Sequence, residues 1–456
     1  MRVWTRTVTA GLTFMIRIAR RAEIVTVALL AVAMSGCGAP ARVPVLAETG
    51  PRPLIPKPSP SLIPVMKVVA AKGWSGDATP VASSGLSVRA FARDLHHPRW
   101  LYVLPNGDVL VSETNAPKRP DDAKGIKGFF FRLFQARAGG AVPSENRLLL
   151  LRDSDGDGVA DIRTVFLTGL HSPFGVTLVG NDLYVANTDG IARYPYTPGA
   201  TTISSSGVKL VDLPGGRINH HWTKNVIASP DGTKLYAAVG SNSNAAENGI
   251  AHENGRAAIW EIDRATGKHR VFATGLRNPV GLAWQPDSRM LWVAVNERDE
   301  LGADLVPDYI TSVRDGGFYG WPYSYYGRHV DDRVEPQRLD LVDRALLPDY
   351  ALGSHTASLG LTWSGASLMP DRFRNGMFIG QHGSWNRKPF SGYRVVFVPF
   401  KDGRPSGAPI DVLTGFITPN GEAMGRPVGV AISHDGALLV ADDVGDAVWR
   451  VSRKAF

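Results

Sequence analysis

One short unit recurs along the body of this chain, and it limits the fold more than any other feature. The unit is a proline or glycine, an alternating apolar stretch, a turn such as Pro-Asp-Gly or His-Asp-Gly, and a second apolar stretch. It reads HPRWLYVLPNGDVLVSET around Pro98, SPFGVTLVGNDLYVANTD around Pro173 and WTKNVIASPDGTKLYAAVG from Trp222. It returns as NPVGLAWQPDSRMLWVAVNE around Pro279, SLGLTWSGASLMPDRFRNGMFIGQ around Leu359 and RPVGVAISHDGALLVADD around Pro427. Apolar alternation broken by Gly, Asn, Asp and Pro is the pattern of paired strands. Further strand-like sequence follows the copies, such as AAIWEID and YRVVFVPF. A unit of about four strands cannot bury both of its faces alone, whereas repeated units packed radially can. The six copies therefore predict an all-β chain, a six-bladed β-propeller of four-stranded antiparallel blades. A β-sandwich would not repeat one strand-turn-strand unit in this way. The last stretch, AVWRVSR, is expected to pair into the first blade and close the ring.

Composition agrees with a large globular core. The chain has 456 residues, 44% hydrophobic and 20% charged. The formal net charge is +8, partly from Arg2, Arg6, Arg17, Arg20 and Arg21. The remaining excess is dispersed and no nucleic-acid signature accompanies it, so no nucleic-acid partner is expected.

The basic cluster is followed by the apolar run IVTVALLAVAM from Ile24 to Met34, then Ser35-Gly36-Cys37. A positive region, a short apolar region and small residues at a cut describe an export signal, too short for an ordinary membrane span. A cysteine directly after the small residues resembles the bacterial lipoprotein signal, although Met34 stands where that pattern usually has Leu. Cys37 is then the lipidation site, and the chain is exported to the periplasm or cell envelope and held to a membrane by an N-terminal lipid. A plain signal peptide cut nearby is the alternative. Either reading has the protein fold outside the cytosol without disulfides, since Cys37 is the single cysteine. The expected organisation is a signal over 1–36, a Pro/Ala-rich linker over 37–84 and the catalytic propeller over 85–456. The linker reads as an extended spacer, with a short piece near Val65 to Ala71 that packs on the body.

Long insertions follow the second strands, at 115–145, 241–256, 297–348 and 381–392. In a propeller such loops gather on one face around the central channel, where function on a repeat scaffold usually sits. Three copies place His or Arg just before the first strand: His220 and His221, Arg277 with Asn278, and Arg426. Each alone has a structural explanation, satisfying a backbone carbonyl. Recurrence at one blade position concentrates charge at the channel mouth.

A family resemblance is carried by GLRNPVGLAW from Gly275, VNERDELGADLVPDYI and DGGFYGWPYSYYG. Together they are similar to the soluble quinoprotein sugar dehydrogenases, and HHWTKN, AVGSNSN and GQHGSWNR resemble the sorbosone dehydrogenase branch of these. The resemblance covers about Leu86 to Arg453. It implies a six-bladed propeller that uses pyrroloquinoline quinone (PQQ) and calcium to oxidise a sugar or sugar-derived aldehyde, with an external electron acceptor such as a quinone or cytochrome. His221 matches the base that takes a sugar hydroxyl proton while hydride passes to the quinone. His220 stands where the glucose-oxidising branch has an aspartate that orients the base. Arg277 and Asn278 match the pair that touches the quinone oxygens, and Arg426 matches a second arginine. Guanidiniums suit PQQ, which carries three carboxylates. A further arginine of the glucose-oxidising branch falls on Val428, and Arg387, with Lys388, is expected to replace it. His382 and Trp385 are expected to line or cover the flat cofactor. Calcium, as Lewis acid, falls by the same resemblance on backbone carbonyls of Arg298, Asp299 and Glu300, with Asp304 and Asp308 nearby. That acidic run also reads as a solvated loop. The aromatics of DGGFYGWP either stack on a sugar or pack between blades.

Two other functions share this scaffold. A metal-dependent sugar-lactone hydrolase needs channel carboxylates, whereas the channel mouth here reads as basic. A non-catalytic propeller that binds a glycan or partner is disfavoured by the set His221, Arg277 and Arg426.

The most conspicuous metal-like stretch, RDSDGDGVAD, lies elsewhere. Asp153, Asp155, Asp157 and Asp161 with Gly158 imitate a calcium loop. However, Thr164 occupies the place of the bidentate glutamate, and strands rather than helices flank it. It is expected to close a hairpin in the first blade, with or without a structural calcium ion.

Overall fold

Each recurring unit folds as the two inner strands of one blade. The innermost strands are Pro98–Val103, Val176–Val179, Lys224–Ala228, Pro279–Trp284, Ser358–Trp363 and Pro427–Ile432. Each opens a separate antiparallel sheet, and the six sheets are numbered here as blades 1 to 6 in that order. The structure is a computed structural model and describes residues 39–60, 68–118, 137–365 and 367–454. Cys37 and the segments before it lie outside the described residues. No helix among the described residues is long and apolar enough to cross a membrane.

The middle strands are mostly apolar and buried along nearly their whole length because both faces are covered by neighbouring blades. In blade 1, Val109–Glu113 is buried at every position and so are the four leucines Leu148 to Leu151. Leu104, Leu148 and Leu150 pack against Val176, Leu183 and Val185 of blade 2. Comparable clusters fill the spaces between blades 2 and 3, 3 and 4, 4 and 5, and 5 and 6. Leu101 and Val109 of blade 1 meet Leu439 and Ala441 of blade 6, which completes the circle. Each buried Leu or Val contributes about 1.5–3 kcal/mol of transfer free energy.

Ring closure differs from the sequence expectation. Ala447–Arg453, the AVWRVSR stretch, is the third strand of blade 6, and Leu86–Ala92 joins it as the fourth. Blade 1 already has four strands of its own, from Pro98 to Leu167, whereas blade 6 has three until Leu86–Ala92 joins it. The chain is thus closed by its first body strand entering the last blade.

The stretch expected to be a spacer is largely a strap. Thr49–Gly50 pairs with Ala351 and Leu352 on the outer edge of blade 4. Ala70–Ala71 pairs with Glu422 and Ala423, and Val81–Ala82 extends blade 5. Val69 is buried among Phe373, Phe378 and Phe416. The physical reason is edge pairing, in which backbone donors and acceptors bind an open sheet edge whatever the side chains are. The insertion at 297–348 is also divided, because Pro307–Ser312 within it is the third strand of blade 4.

Candidate active site at the channel mouth

One side chain from each blade closes the central channel. Trp100, Phe174, Trp222, Val280, Leu359 and Val428 form a single buried cluster. Each lies at or just before an innermost strand. The residues immediately ahead of them therefore surround an apolar floor. They include His97, His221, Arg277, Asn278 and Arg426, as the blade-position argument anticipated for the last four.

His221 is held by the start of the 241–256 insertion. Its Nδ1 lies 2.9 Å from the Ser241 carbonyl oxygen and 3.0 Å from Ser241 Oγ. The Ser241 hydroxyl donates its hydrogen to the Ser243 carbonyl at 2.7 Å. Both partners can therefore only accept from His221, which puts the proton of the neutral ring on Nδ1 and leaves Nε2 as the acceptor nitrogen. Ser241 thus fixes the orientation of the His221 ring. Gly240 permits the arrangement, since a Cβ there would collide with His221 Cβ and Asn278 Oδ1. Asn278 Oδ1 is buried beside the histidine without a hydrogen-bond partner among the described residues, which is costly unless a ligand engages it.

Arg277 anchors the loop expected to hold calcium. Its guanidinium donates to the carbonyls of Asn244, Asn296 and Glu297 and to Asn244 Oδ1, at 3.2, 3.3, 2.7 and 2.9 Å. Nη2 lies 3.7 Å from Asp299 Oδ2. Asp299 also accepts from Asn386 at 2.8 Å and meets His355 Nδ1 at 3.3 Å. Its carbonyl accepts from Asn244 and Arg333, both at 3.1 Å. Arg298 is fully buried and points into a separate network with Glu297, Asp331 and the carbonyls of Pro322 and Ser324. Glu300 is exposed in a left-handed conformation, with φ of 73°. The 298–300 loop thus stands beside Arg277. Its oxygens are of the hard type that calcium takes, but the two bonds to the Asp299 carbonyl use both of its lone pairs, which leaves the carbonyls of Arg298 and Glu300 as the backbone oxygens of this run for a cation. Asp304 instead accepts from the strap at Arg42 and Val43. Asp308 is buried under the backbone N–H groups of Glu297 and Ser358.

The opposite rim is a basic cluster around Asp443. Arg99 donates to Asp443 Oδ2 at 2.7 Å. His382 Nε2 lies 2.9 Å from the same oxygen, and His97 Nδ1 lies 2.9 Å from the Asp443 carbonyl. Burial pushes the His97 imidazole down to about 4 and also lowers that of His382, so both are neutral near pH 7. Burial acts to raise the Asp443 carboxyl, but His382, His97 and Arg99 hold it well below the usual range. Arg426 is 4% exposed, stacks 4.9 Å over the Tyr393 ring, and has Nε and Nη2 without hydrogen-bond partners among the described residues. Buried guanidinium donors of this kind call for an anion. His97 and Arg99 escaped the sequence reading, although His97 occupies the same pre-proline place as Arg426.

Other expected residues are placed differently. Arg387 does not join the cluster; its Nη1 and Nη2 donate to Glu48 of the strap at 2.8 and 3.0 Å, and Nη1 also reaches the Ser354 carbonyl at 3.2 Å. Trp385 is 41% exposed on the loop that carries His382. Tyr319 and Trp321 of DGGFYGWP are buried, with Tyr319 in the cluster between blades 3 and 4 and Trp321 donating to the Asn244 carbonyl at 3.0 Å. They are packing residues.

The RDSDGDGVAD turn joins the third and fourth strands of blade 1, on the outer edge away from the channel floor. Ligand atoms of Asp153, Asp155 and Asp157 lie within 4.8 Å of one another. Asp161 bonds Ser154 instead, and Asp153 accepts from the N–H groups of Gly156 and Gly158. These bonds are what the turn itself requires.

The channel mouth fits a flat polyanion: an apolar floor, unpartnered buried guanidinium donors on one rim, and a histidine with an acceptor nitrogen on the other. A family model described as TrAA12-like matches residues 146–310 and 342–454. An uncharacterized protein of Borreliella burgdorferi is 26% identical over 294 residues, covering 62% of this chain and 76% of its own. Among solved structures, the holo form of a pyranose dehydrogenase PQQ domain from Coprinopsis cinerea aligns with a TM-score of 0.66 at 21% identity, over 82% of this chain and 97% of that one. A calcium structure of a Trichoderma reesei enzyme of carbohydrate-active family AA12 gives 0.66 at 17% identity, over 83% and 100%.

Proposed function

The chain belongs to the TrAA12-like family, and from that membership we propose that it is a sugar dehydrogenase dependent on PQQ and calcium. The observation that carries the reading is the pairing, across one channel mouth, of His221 in its Nδ1–H form with the unpartnered guanidinium donors of Arg426. The names of the aligned structures, a PQQ domain and a calcium form, support the same reading. When bound, the quinone would supply a two-electron acceptor and calcium a Lewis acid.

The chain's own residues would do the rest. His221 Nε2 takes the proton of the sugar hydroxyl as the carbon beside it is oxidised, and the Ser241 carbonyl stabilises the imidazolium that results. Asn278 offers Oδ1 to the reacting centre or to the quinone edge. Arg426 holds a carboxylate of the cofactor above the floor. Arg277 fixes the 296–300 loop, and through it the oxygens proposed for calcium. Trp385 covers the mouth. We also propose that the protein is exported, anchored by lipid at Cys37, and reoxidised by an external quinone or cytochrome.

The test is dye reduction by purified protein with PQQ, calcium and a panel of aldoses that includes sorbosone. Wild type is expected to bind PQQ and turn over, and His221→Ala to keep PQQ and lose turnover. No binding and no reduction by wild type would sink the proposal. A lactonase panel run in parallel tests the hydrolase reading, for which this rim has the wrong charge.

A further inference from the structure

The basic rim holds buried guanidinium nitrogens that no described residue meets. Asp443 is the carboxylate that hydrogen-bonds Arg99, and it is also the one that His97 and His382 approach. The guanidinium of Arg426 donates to the His382 carbonyl at 3.4 Å and lies over the Tyr393 ring, while its Nε and Nη2 have no hydrogen-bond partner among the described residues. Arg99 likewise has a buried Nε without a partner among the described residues. Asp443 takes its hydrogen bond from Arg99, and the buried Asp442 carboxylate beside them bonds the backbone N–H of Arg426, at 2.7 Å, rather than its guanidinium. A buried guanidinium with unmet donors is strongly unfavourable unless an anion meets it.

The position of Arg99 gives those donors a direction. It sits on blade 1, yet its guanidinium carbon lies 5.7 Å from the centre of the Trp222 ring on blade 3. It therefore extends over the channel floor, toward the residue that follows His221. Val428, on blade 6, is fully buried within that floor and cannot bind an anion.

We propose that Arg99 and Arg426 form a two-guanidinium carboxylate site on the floor of the channel mouth, with Asp443 holding Arg99 in place. The inference rests on the proposed quinone reading and deepens it. Arg99 supplies from blade 1 the arginine that Val428 does not supply from blade 6. The carboxylate is one of the quinone's or that of an acidic sugar such as a uronate, and the test separates the two.

Apo protein is titrated with PQQ, followed by quenching of tryptophan fluorescence, and separately with D-glucuronate and D-glucose by calorimetry. Wild type is compared with Arg99→Gln and Arg99→Lys, each checked by circular dichroism. Lysine keeps the Asp443 pair but has no Nε to offer, so it serves if the glutamine variant fails to fold. Weakening of PQQ binding by roughly tenfold to hundredfold in both variants, the loss of one charge-assisted bond, assigns the site to the quinone. Unchanged PQQ binding with loss of glucuronate binding but not glucose binding assigns it to the substrate. If wild type binds no PQQ, the quinone reading fails on its own account, and glucuronate alone decides the site. Folded Arg99 variants that bind both anions as wild type does, or a wild type that binds neither, overturn the proposal.

Discussion

The buried pair Glu48–Arg387 gives the most quantitative expectation. Glu48 is fully buried and Arg387 is 1% exposed. The carboxylate takes two hydrogen bonds from the guanidinium, at 2.8 and 3.0 Å. Glu48→Ala leaves Arg387 with the Ser354 carbonyl at 3.2 Å and Asp304 at 3.8 Å. Removing one partner of a buried pair costs about 3–5 kcal/mol. A propeller of about 370 residues, at about 2.1 cal/mol/K each, unfolds with an entropy of roughly 0.8 kcal/mol/K. The midpoint should therefore fall by about 4–6 °C. Replacing both partners, as Glu48→Gln with Arg387→Met, should recover most of that loss because no charge is left buried. Differential scanning calorimetry of the three proteins decides it. A Glu48→Ala midpoint within about 1 °C of wild type, or a double variant no better than the single one, would refute the claim that the strap is fastened by this pair.

Gly240→Ala should preserve the fold but lower turnover by roughly a hundredfold, since a methyl group would displace His221 and Asn278; unchanged turnover would show that their spacing is irrelevant. His97 should make the protein acid-labile. Its folded value, about 4, lies below the unfolded one, so the unfolded chain binds more protons and stability falls as pH drops from about 6.5 toward 4, by roughly 3 kcal/mol. Thermal midpoints of His97→Asn over that window should decline less steeply than those of wild type, and parallel curves would contradict this.

The inner hairpins were legible because burial on both faces forces mostly apolar strands between strong turn signals. Outer strands were not. Val208–Asp212, exposed at three of its five positions and without alternation, has little pattern of its own and is held by its pairing with Gly190–Pro195. The strap was misread as a spacer because its proline content describes local conformation, whereas its attachments are made to residues as distant as Arg387, 339 positions away. At the site, His221, Arg277, Asn278 and Arg426 share a recurrent place just before a blade's first strand, which makes them visible in the sequence. Arg99 lies one residue inside its strand rather than before it, so recurrence does not mark it. Ser241 left no trace because it acts partly through its carbonyl. The run Asp153 to Asp157 drew attention because a tight turn and a cation site use the same carboxylates, in one case to bind backbone N–H groups.

The central claim is tested most directly by a single turnover without any dye. Protein loaded with PQQ and calcium is mixed anaerobically with an aldose it binds, and the absorbance of the bound cofactor is followed in a stopped-flow cell. Conversion to the spectrum of reduced PQQ in wild type, and its absence in His221→Ala carrying the same amount of PQQ, is the predicted result. Bound PQQ that stays oxidised in wild type, or is reduced equally fast without His221, would contradict the account.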